Sequence, residues 1–362
     1  MKNLKPSIDA VGIDIGTHSI KVAYLKGDSL TKLAIAEISP DTPLSSIPAE
    51  ERDKLLANVL KKAIDDSQIG TKKAVVSISG DAVIVRYIIL PKMTQKELEA
   101  TIKFEAEPYI SFPIDQAILD FQILGDNDEE DTKRMDVLLV AGKKDLIDRQ
   151  VNILRSVNLR PVLIDVDAFA LENVYDYNMG EQEKNTGSVV LLNIGATFTN
   201  INIIENGVSR FTRDVSIAGN NFSKALQRDL RLDYRKAEDV KKAKGILLTE
   251  EEENAFGDKE AIQISDVLKP VFHELFGEIR RSLDYYQAQS SERSLKKIIL
   301  SGGSSKIRNI EKLIAQETKL QVEKSNPFAS VKLNLKSPAP EELPEMQPLF
   351  PVAMGLALRV RS

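Results

Sequence analysis

The stretch VGIDIGTHSIKV (residues 11–22) runs an apolar strand into a glycine turn and out along a second strand, and LLNIGATFTNI (residues 191–201) repeats that order. Each is followed by a third strand pattern, Thr31–Ile38 after the first and Val208–Val215 after the second. Two such meanders constrain the fold more than any other feature of the chain. They form an internal repeat of one supersecondary unit: apolar strand, glycine turn, polar strand, then a Gly-Asp or Asn-Gly hairpin. Little residue identity is shared outside the motif, and the acid of the first copy, Asp14, is an amide in the second, Asn193.

After the first meander, residues 53–66 have helical spacing and 73–79 predict a strand, which places the first copy in a mixed α/β domain. Residues 95–110, 118–124, 135–141 and 145–159 then predict a helix–strand–strand–helix unit, a small two-layer subdomain spanning roughly 85–160, with an acidic loop at 126–131. An apolar stretch at 161–169 and a helix over 170–177 lead through a soft loop, Gly180 to Gly187, to the second meander. Beyond it come helices over 219–230 and 234–247, a polar excursion at 249–261, and a long helix over 265–290 with Pro270 in its first turn or at a kink. Residues 296–320 predict a strand, a glycine turn and a helix. The Pro-rich segment 337–350 reads as a surface linker, and 351–360 as a short buried helix or a terminal association element. The expected organisation is a first domain of 1–84 and 161–187, an insertion of 85–160, and a second domain of 188–349, with 350–362 returning to the first.

A chain of 362 residues buries a core large enough for two or three domains. Its net charge of −5 and lack of a basic stripe give no electrostatic case for nucleic acid. No run of 18 apolar residues and no apolar segment near the N-terminus points to a membrane span or signal peptide. Zero cysteines exclude disulfides and thiolate metal sites and are in keeping with a cytosolic chain; with only His18 and His273, a histidine-rich metal centre is excluded as well.

In Asp14-Ile15-Gly16-Thr17 the glycine lets backbone N–H groups approach an oxyanion, and Thr17 and Ser19 add hydroxyl donors beside the His18 imidazole. Asp14 can orient magnesium-bound water, and Lys21 can neutralise phosphate although its spacing is not that of a Walker loop. Gly195, Ala196, Thr197 and Thr199 of the second copy can close on phosphates from the other side. The turn Ser301-Gly302-Gly303-Ser304-Ser305, followed by Lys306, can hold a phosphate or pack on an adenosine ring. Glu238 and Lys241 share one helix face and can bond a ribose or purine edge. Each feature has a plainer reading: hairpins with polar ends, a strand-to-helix connector, a surface ion pair.

Taken in chain order, these segments resemble the actin-like ATPase fold, with 12–22 and 192–201 similar to its two phosphate motifs and 300–307 to its adenosine motif. Within that fold the chain resembles the PilM family of type IV pilus assembly proteins, through FEAEPYISFPIDQAILDFQIL (104–124), IAGNNFSKAL (217–226), AEDVKKAKG (237–245) and FPVAMGLALR (350–359). It is also similar to the division protein FtsA, whose small subdomain occupies the corresponding place, with the expectation that it carries no FtsA-like terminal membrane helix after a long tail. The resemblance implies two major domains around a nucleotide cleft and an inserted FtsA-like subdomain over 85–160, with ATP or ADP and Mg2+ as ligands. It implies nucleotide contacts from Gly12, Asp14, Gly16, Thr17, His18, Ser19, Lys21, Asn193, Gly195, Ala196, Thr197, Glu238, Lys241, Gly302, Gly303, Ser304 and Lys306, with Asp14 reaching the metal through water.

The implied partner is the cytoplasmic N-terminal peptide of the inner-membrane protein PilN, followed by other pilus platform or motor proteins and by self-association. The implied location is cytoplasmic, peripheral at the inner membrane through those partners. Asn193 stands where the second phosphate motif usually has Asp; an amide orients water but brings no charge to magnesium. The expectation is therefore nucleotide binding with weak or absent hydrolysis. Two alternatives stay open: a metabolite kinase of the same fold, and an interaction scaffold that uses no nucleotide. The kinase needs a hydroxyl-substrate site and commonly a carboxylate base, and no local motif supplies either.

Overall fold

Both meanders form as antiparallel ladders. In the computed structural model, which describes residues 8–38, 41–127, 133–180, 187–249, 252, 258–289 and 294–360, the first is β1 (Val11–Ile15), β2 (Ser19–Lys26) and β3 (Ser29–Glu37). Residues 128–131 of the acidic loop, 181–186 of the soft loop and most of the excursion at 249–261 lie outside the described residues. The chain continues through α1 (Ala49–Ser67) and β4 (Lys73–Ile78) into an insertion of β5 (Val83–Pro91), α2 (Gln95–Ala106), β6 (Ala117–Asn127) and β7 (Arg134–Lys143). It returns by α3 (Lys144–Ser156), β8 (Arg160–Val166) and α4 (Asp167–Asn178). The second meander is β9 (Ser188–Ile194), β10 (Thr199–Glu205) and β11 (Val208–Val215). After it come α5 (Gly219–Leu230), α6 (Tyr234–Lys244), α7 (Lys259–Ala288), β12 (Leu295–Ser301), α8 (Ile310–Thr318) and β13 (Gln321–Lys324). The chain ends with β14 (Lys332–Leu333), α9 (Leu343–Met346) and α10 (Pro351–Arg359).

The repeat extends beyond the meanders. The first sheet has the order β14-β3-β2-β1-β4-β8 and the second β11-β10-β9-β12-β13, so five strands correspond one to one. In each, β1 or β9 pairs antiparallel with the next strand and parallel with β4 or β12. Helices α5, α6 and α7 cover the second sheet, burying Phe222, Leu226, Phe272 and Tyr286 against Val190, Leu192 and Ile298. Helix α7 begins six residues before its expected start, so Pro270 sits about three turns inside it, not in its first turn.

The inserted subdomain differs from the expected helix–strand–strand–helix. It is a three-stranded antiparallel sheet, β5-β7-β6, carrying α2 on one face. Thr94 starts α2 with a capping box: its hydroxyl accepts from the Glu97 N–H at 3.3 Å, and Glu97 accepts from the Thr94 N–H at 2.7 Å. The last expected member, α3, packs elsewhere. Its Ile153 and Leu154 lie with Leu56, Leu60 and Ile64 of α1 on the first sheet.

The C-terminal segments also return to the first sheet earlier than expected. Strand β14 pairs with the edge strand β3, and Phe328, Val331, Leu343 and Phe350 bury against Leu25, Leu30 and Leu33. The Pro-rich stretch is thus a strap across the first domain, not a linker. Helix α10 is the buried helix, seated between β1 and α4 by two glycines: a Cβ on Gly12 would overlap the backbone of Ala353 and Ala357, and one on Gly355 the backbone of Ala170. Among the described residues, no helix is long and apolar enough to cross a membrane.

Candidate functional site

The tips of the two equivalent hairpins face each other across a cleft of about 670 Å³. They touch at one point, where Thr17 Oγ1 and Thr197 Oγ1 share a hydrogen bond of 2.7 Å. Of the nucleotide contacts that the resemblance implies, all but Gly12 line this cleft, and the missing side chain of Gly12 makes room for α10 instead. Thr199 also departs from expectation. It is buried, and its hydroxyl donates to the Ile217 carbonyl at 2.7 Å.

On the first face, Asp14 and Lys21 are cross-strand partners and form an ion pair of 3.0 Å in which each side chain keeps 15% of its exposure. Lys21 is therefore not a free phosphate ligand but a cation already shared with the acid beside it. A Cβ on Gly16 would crowd the Ser19 carbonyl, so the tight turn depends on glycine. His18 stays neutral near pH 7, because burial first and the Lys242 ammonium second hold its proton affinity below the usual value.

The second face is braced from behind. The Gly195 N–H closes its turn on the Phe198 carbonyl at 3.0 Å. The Gly195 carbonyl accepts from the Gly219 N–H at 3.0 Å and from Ser304 Oγ at 2.9 Å, while the Asn220 N–H donates to Ala196 at 2.7 Å. The leading N–H groups of α5 are thus engaged in holding the turn. Gly302 adopts φ +90°, and a Cβ there would overlap the Ile194 carbonyl; its N–H donates to Pro348 of the strap at 2.7 Å. Gly303, by contrast, faces open space. Lys306 reaches the cleft rim while paired with Glu345 at 2.9 Å.

Glu238 and Lys241 are no surface pair. They are 7% and 5% exposed and bonded at 2.6 Å, with Lys241 Nζ also donating to Ser223 Oγ at 2.7 Å and to the Gly219 carbonyl at 3.2 Å. Burial opposes ionisation of Glu238, but the Lys241 ammonium and the Ser223 hydroxyl outweigh it and hold the carboxyl below its ordinary value. Burial lowers the proton affinity of Lys241, with Glu238 opposing.

The sequence reading missed Asp167, the first residue of α4, on the cleft floor. Its half-buried carboxyl accepts from Ser77 Oγ at 2.5 Å, and burial first and the Asp14 carboxylate second push its pKa up to about 7. An acid at the junction of a strand and a helix is the available signal, but it lies inside the apolar run PVLIDVDAF, where α4 begins three residues earlier than expected. Also missed is an apolar end of the cleft formed by Ile35, Leu44, Leu56 and Ile153, beside which the Arg149 guanidinium joins α3 to Asp53 of α1 at 2.5 Å. Among the described residues, no group of three His, Cys, Asp or Glu side chains is placed to hold a metal directly. Asp14 and Asp167 on the cleft are oxygen donors of the kind that suits a hydrated magnesium ion.

The family profile described as type IV pilus assembly protein PilM matches residues 12–361. A solved PilM–PilN type IV pilus biogenesis complex superposes with a TM-score of 0.83 at 30% identity, covering 99% of this chain and 100% of that one. The cell division protein FtsA of Bacillus subtilis (strain 168) is 26% identical over 259 residues, 65% of this chain, and the match spans 58% of FtsA's length. The ethanolamine utilization protein EutJ from Carboxydothermus hydrogenoformans has a TM-score of 0.52 at 14% identity over 98% of this chain and 91% of its own, a likeness of fold alone. The architecture is the actin-like ATPase fold, with two paired sheets around a cleft and an inserted subdomain.

Proposed function

This chain belongs to the family of type IV pilus assembly protein PilM, and we propose that it serves pilus assembly as a nucleotide-binding protein whose bound state sets how it holds PilN. The observation that carries this reading is the meeting of two glycine hairpins at Thr17 and Thr197 over a floor of Asp14, Lys21 and Asp167. The turns at Gly16 and Gly195 offer N–H and hydroxyl donors to the phosphates of ATP or ADP from both sides. Asp14 would orient water around a magnesium ion, which would supply charge neutralisation when bound. The Glu238–Lys241 pair and the Gly302-Gly303 turn would hold the adenosine.

Hydrolysis in this cleft is slow. Asn193 brings no charge, and its carboxamide is already bonded to Asn200 and Ser301. Asp167 is the residue placed to take a proton from water, and with a pKa of about 7 it is ionised in only part of the molecules at neutral pH. Asp167 also supplies the carboxylate that a kinase needs, but family membership favours the assembly role.

The cytoplasmic N-terminal peptide of PilN is the proposed partner, supported by the similarity to a PilM–PilN complex. Its docking surface is assigned to the first domain and the inserted subdomain, which brings the protein to the cytoplasmic face of the inner membrane through PilN. Nucleotide coupling has a physical route. The root of the subdomain at Gly80 is held to the second domain by an N–H bond to Asp214 of 2.5 Å, and the Phe198 ring packs against the same glycine.

Calorimetric titration with magnesium–ATP and magnesium–ADP, on the natural chain and on Asp14→Asn, tests the nucleotide half. Saturable binding that weakens in the folded variant is expected. A folded natural chain that takes up neither nucleotide refutes it.

A further inference from the structure

The two copies of the hairpin differ at two facing positions. In the first copy the cross-strand partners Asp14 and Lys21 are an acid and a base; in the second the equivalent partners, Asn193 and Asn200, are both amides. Asn193 Nδ2 donates to Asn200 Oδ1 at 2.7 Å, and Asn200 Nδ2 donates to Asp214 Oδ1 at 2.7 Å. Asp214 Oδ2 accepts the Gly80 N–H at 2.5 Å. At the other end, Ser301 Oγ donates to Asn193 Oδ1 at 3.2 Å. One continuous relay thus crosses the second sheet, from the residue before the Gly302-Gly303 turn to the loop where the inserted subdomain begins.

The direction of this relay is fixed from one end. A backbone N–H only donates; burial raises the pKa of Asp214 and the bonds from Asn200 and Gly80 oppose that rise, and in its ionised state Asp214 only accepts, so Asn200 turns its NH2 to Asp214 and its carbonyl oxygen to residue 193. Residue 193 must then donate. Asparagine does so and aspartate cannot.

We infer that Asn193 is a positioning residue whose amide sets the direction of a hydrogen-bond relay joining the Ser301–Gly302 turn of the cleft to Gly80 at the root of the inserted subdomain. That the turn serves a nucleotide rests on the function proposed above; the relay belongs to the free protein. It gives the departure from Asp at this position a cause other than lost catalysis. A carboxylate here faces the carbonyl oxygen of Asn200, and turning Asn200 over only moves the conflict to Asp214. Because Asn200 is 2% exposed, water does not relieve it.

Three variants test the relay through hydrogen exchange of the Gly80 amide, read by NMR in nucleotide-free protein. Asn193→Asp is expected to speed that exchange roughly tenfold to a hundredfold, as the charged acceptor at Asp214 is displaced. Asp214→Asn alone is expected to remain close to the natural chain: all three amides turn over, and the Ser301 hydroxyl, 3.5 Å from the Leu192 carbonyl, donates there instead. The double variant Asn193→Asp/Asp214→Asn reverses the relay with every donor matched and restores protection. A general packing defect at 193 is not rescued by a change two links away. Unchanged exchange in Asn193→Asp, or a double variant exchanging as fast as that single one, overturns the inference. If Asn193→Asp does not fold, a folded double variant supports the relay and an unfolded one refutes it. Because exchange is read without ligand, a chain that fails to bind magnesium–ATP removes the nucleotide reading and leaves this result standing.

Discussion

At pH 8 the free protein carries an ionised carboxylate at Asp167 with Asp14 as its neighbour, and Asp167→Asn removes that charge while keeping an acceptor for Ser77. Burial, and after it Asp14, raise the pKa of Asp167 from 3.8 to about 7, so the folded state binds this proton more tightly than the unfolded chain does. The stability that follows is fully present below pH 3.8 and is lost as pH rises through about 7. Each tenfold change in proton affinity is worth ~1.4 kcal/mol, which sets a ceiling of ~4 kcal/mol. The cleft is open to water and the group is only half-buried, so screening reduces the difference to roughly 1–2 kcal/mol. The neutral variant does not suffer the loss. Urea denaturation is therefore expected to show Asp167→Asn more stable than the natural chain at pH 8, with the gap closing by pH 4. Glu172, which burial also raises to about 7, is common to both proteins and cancels in the comparison. A variant less stable at pH 8, or one whose difference is the same at both pH values, is incompatible with a raised Asp167 pKa.

Gly12→Ala forces a methyl group into the backbone of α10 and is expected to cost about 1–3 kcal/mol or more of folding stability, read from the denaturation midpoint, with nucleotide affinity unchanged at temperatures where it stays folded. Lys241→Met strands a buried Glu238 and is expected to cost roughly 3–5 kcal/mol, whereas Glu238→Leu/Lys241→Met recovers most of it; nucleotide titration should show affinity lost in both. Thr17→Val removes the bond to Thr197 at an exposed site, so its melting temperature should barely move while its affinity for the nucleotide phosphates falls.

The two hairpin meanders were legible because strand alternation and glycine turns are local signals. What local signals do not carry is the identity of the surface that each element covers. The apolar side of α3 looks the same whether it meets β7 or α1, and it meets α1. Gly12 and Gly16 look alike in one motif, yet the space above Gly12 is filled by α10 while Gly16 turns the chain at the cleft. The strap was unreadable because its buried residues, Leu343, Pro348 and Phe350, are interrupted by Pro344, Glu345 and Gln347 and follow no period. Glu238 and Lys241 had the right spacing for a pair, but only the packing of α6 beneath Ser223 shows that the pair is buried. Asp167 escaped because its importance lies in its distance from Asp14 across the sheet, not in its neighbours along the chain.

On this account, filling the cleft changes how the protein holds its partner. Titrating a labelled peptide of the cytoplasmic N-terminus of PilN, with and without saturating magnesium–ATP, measures this directly. Saturable binding is expected in both states, with affinities differing by at least about fivefold, a coupling of ~1 kcal/mol. Equal affinity in the free and nucleotide-filled protein, or no peptide binding in either, contradicts it.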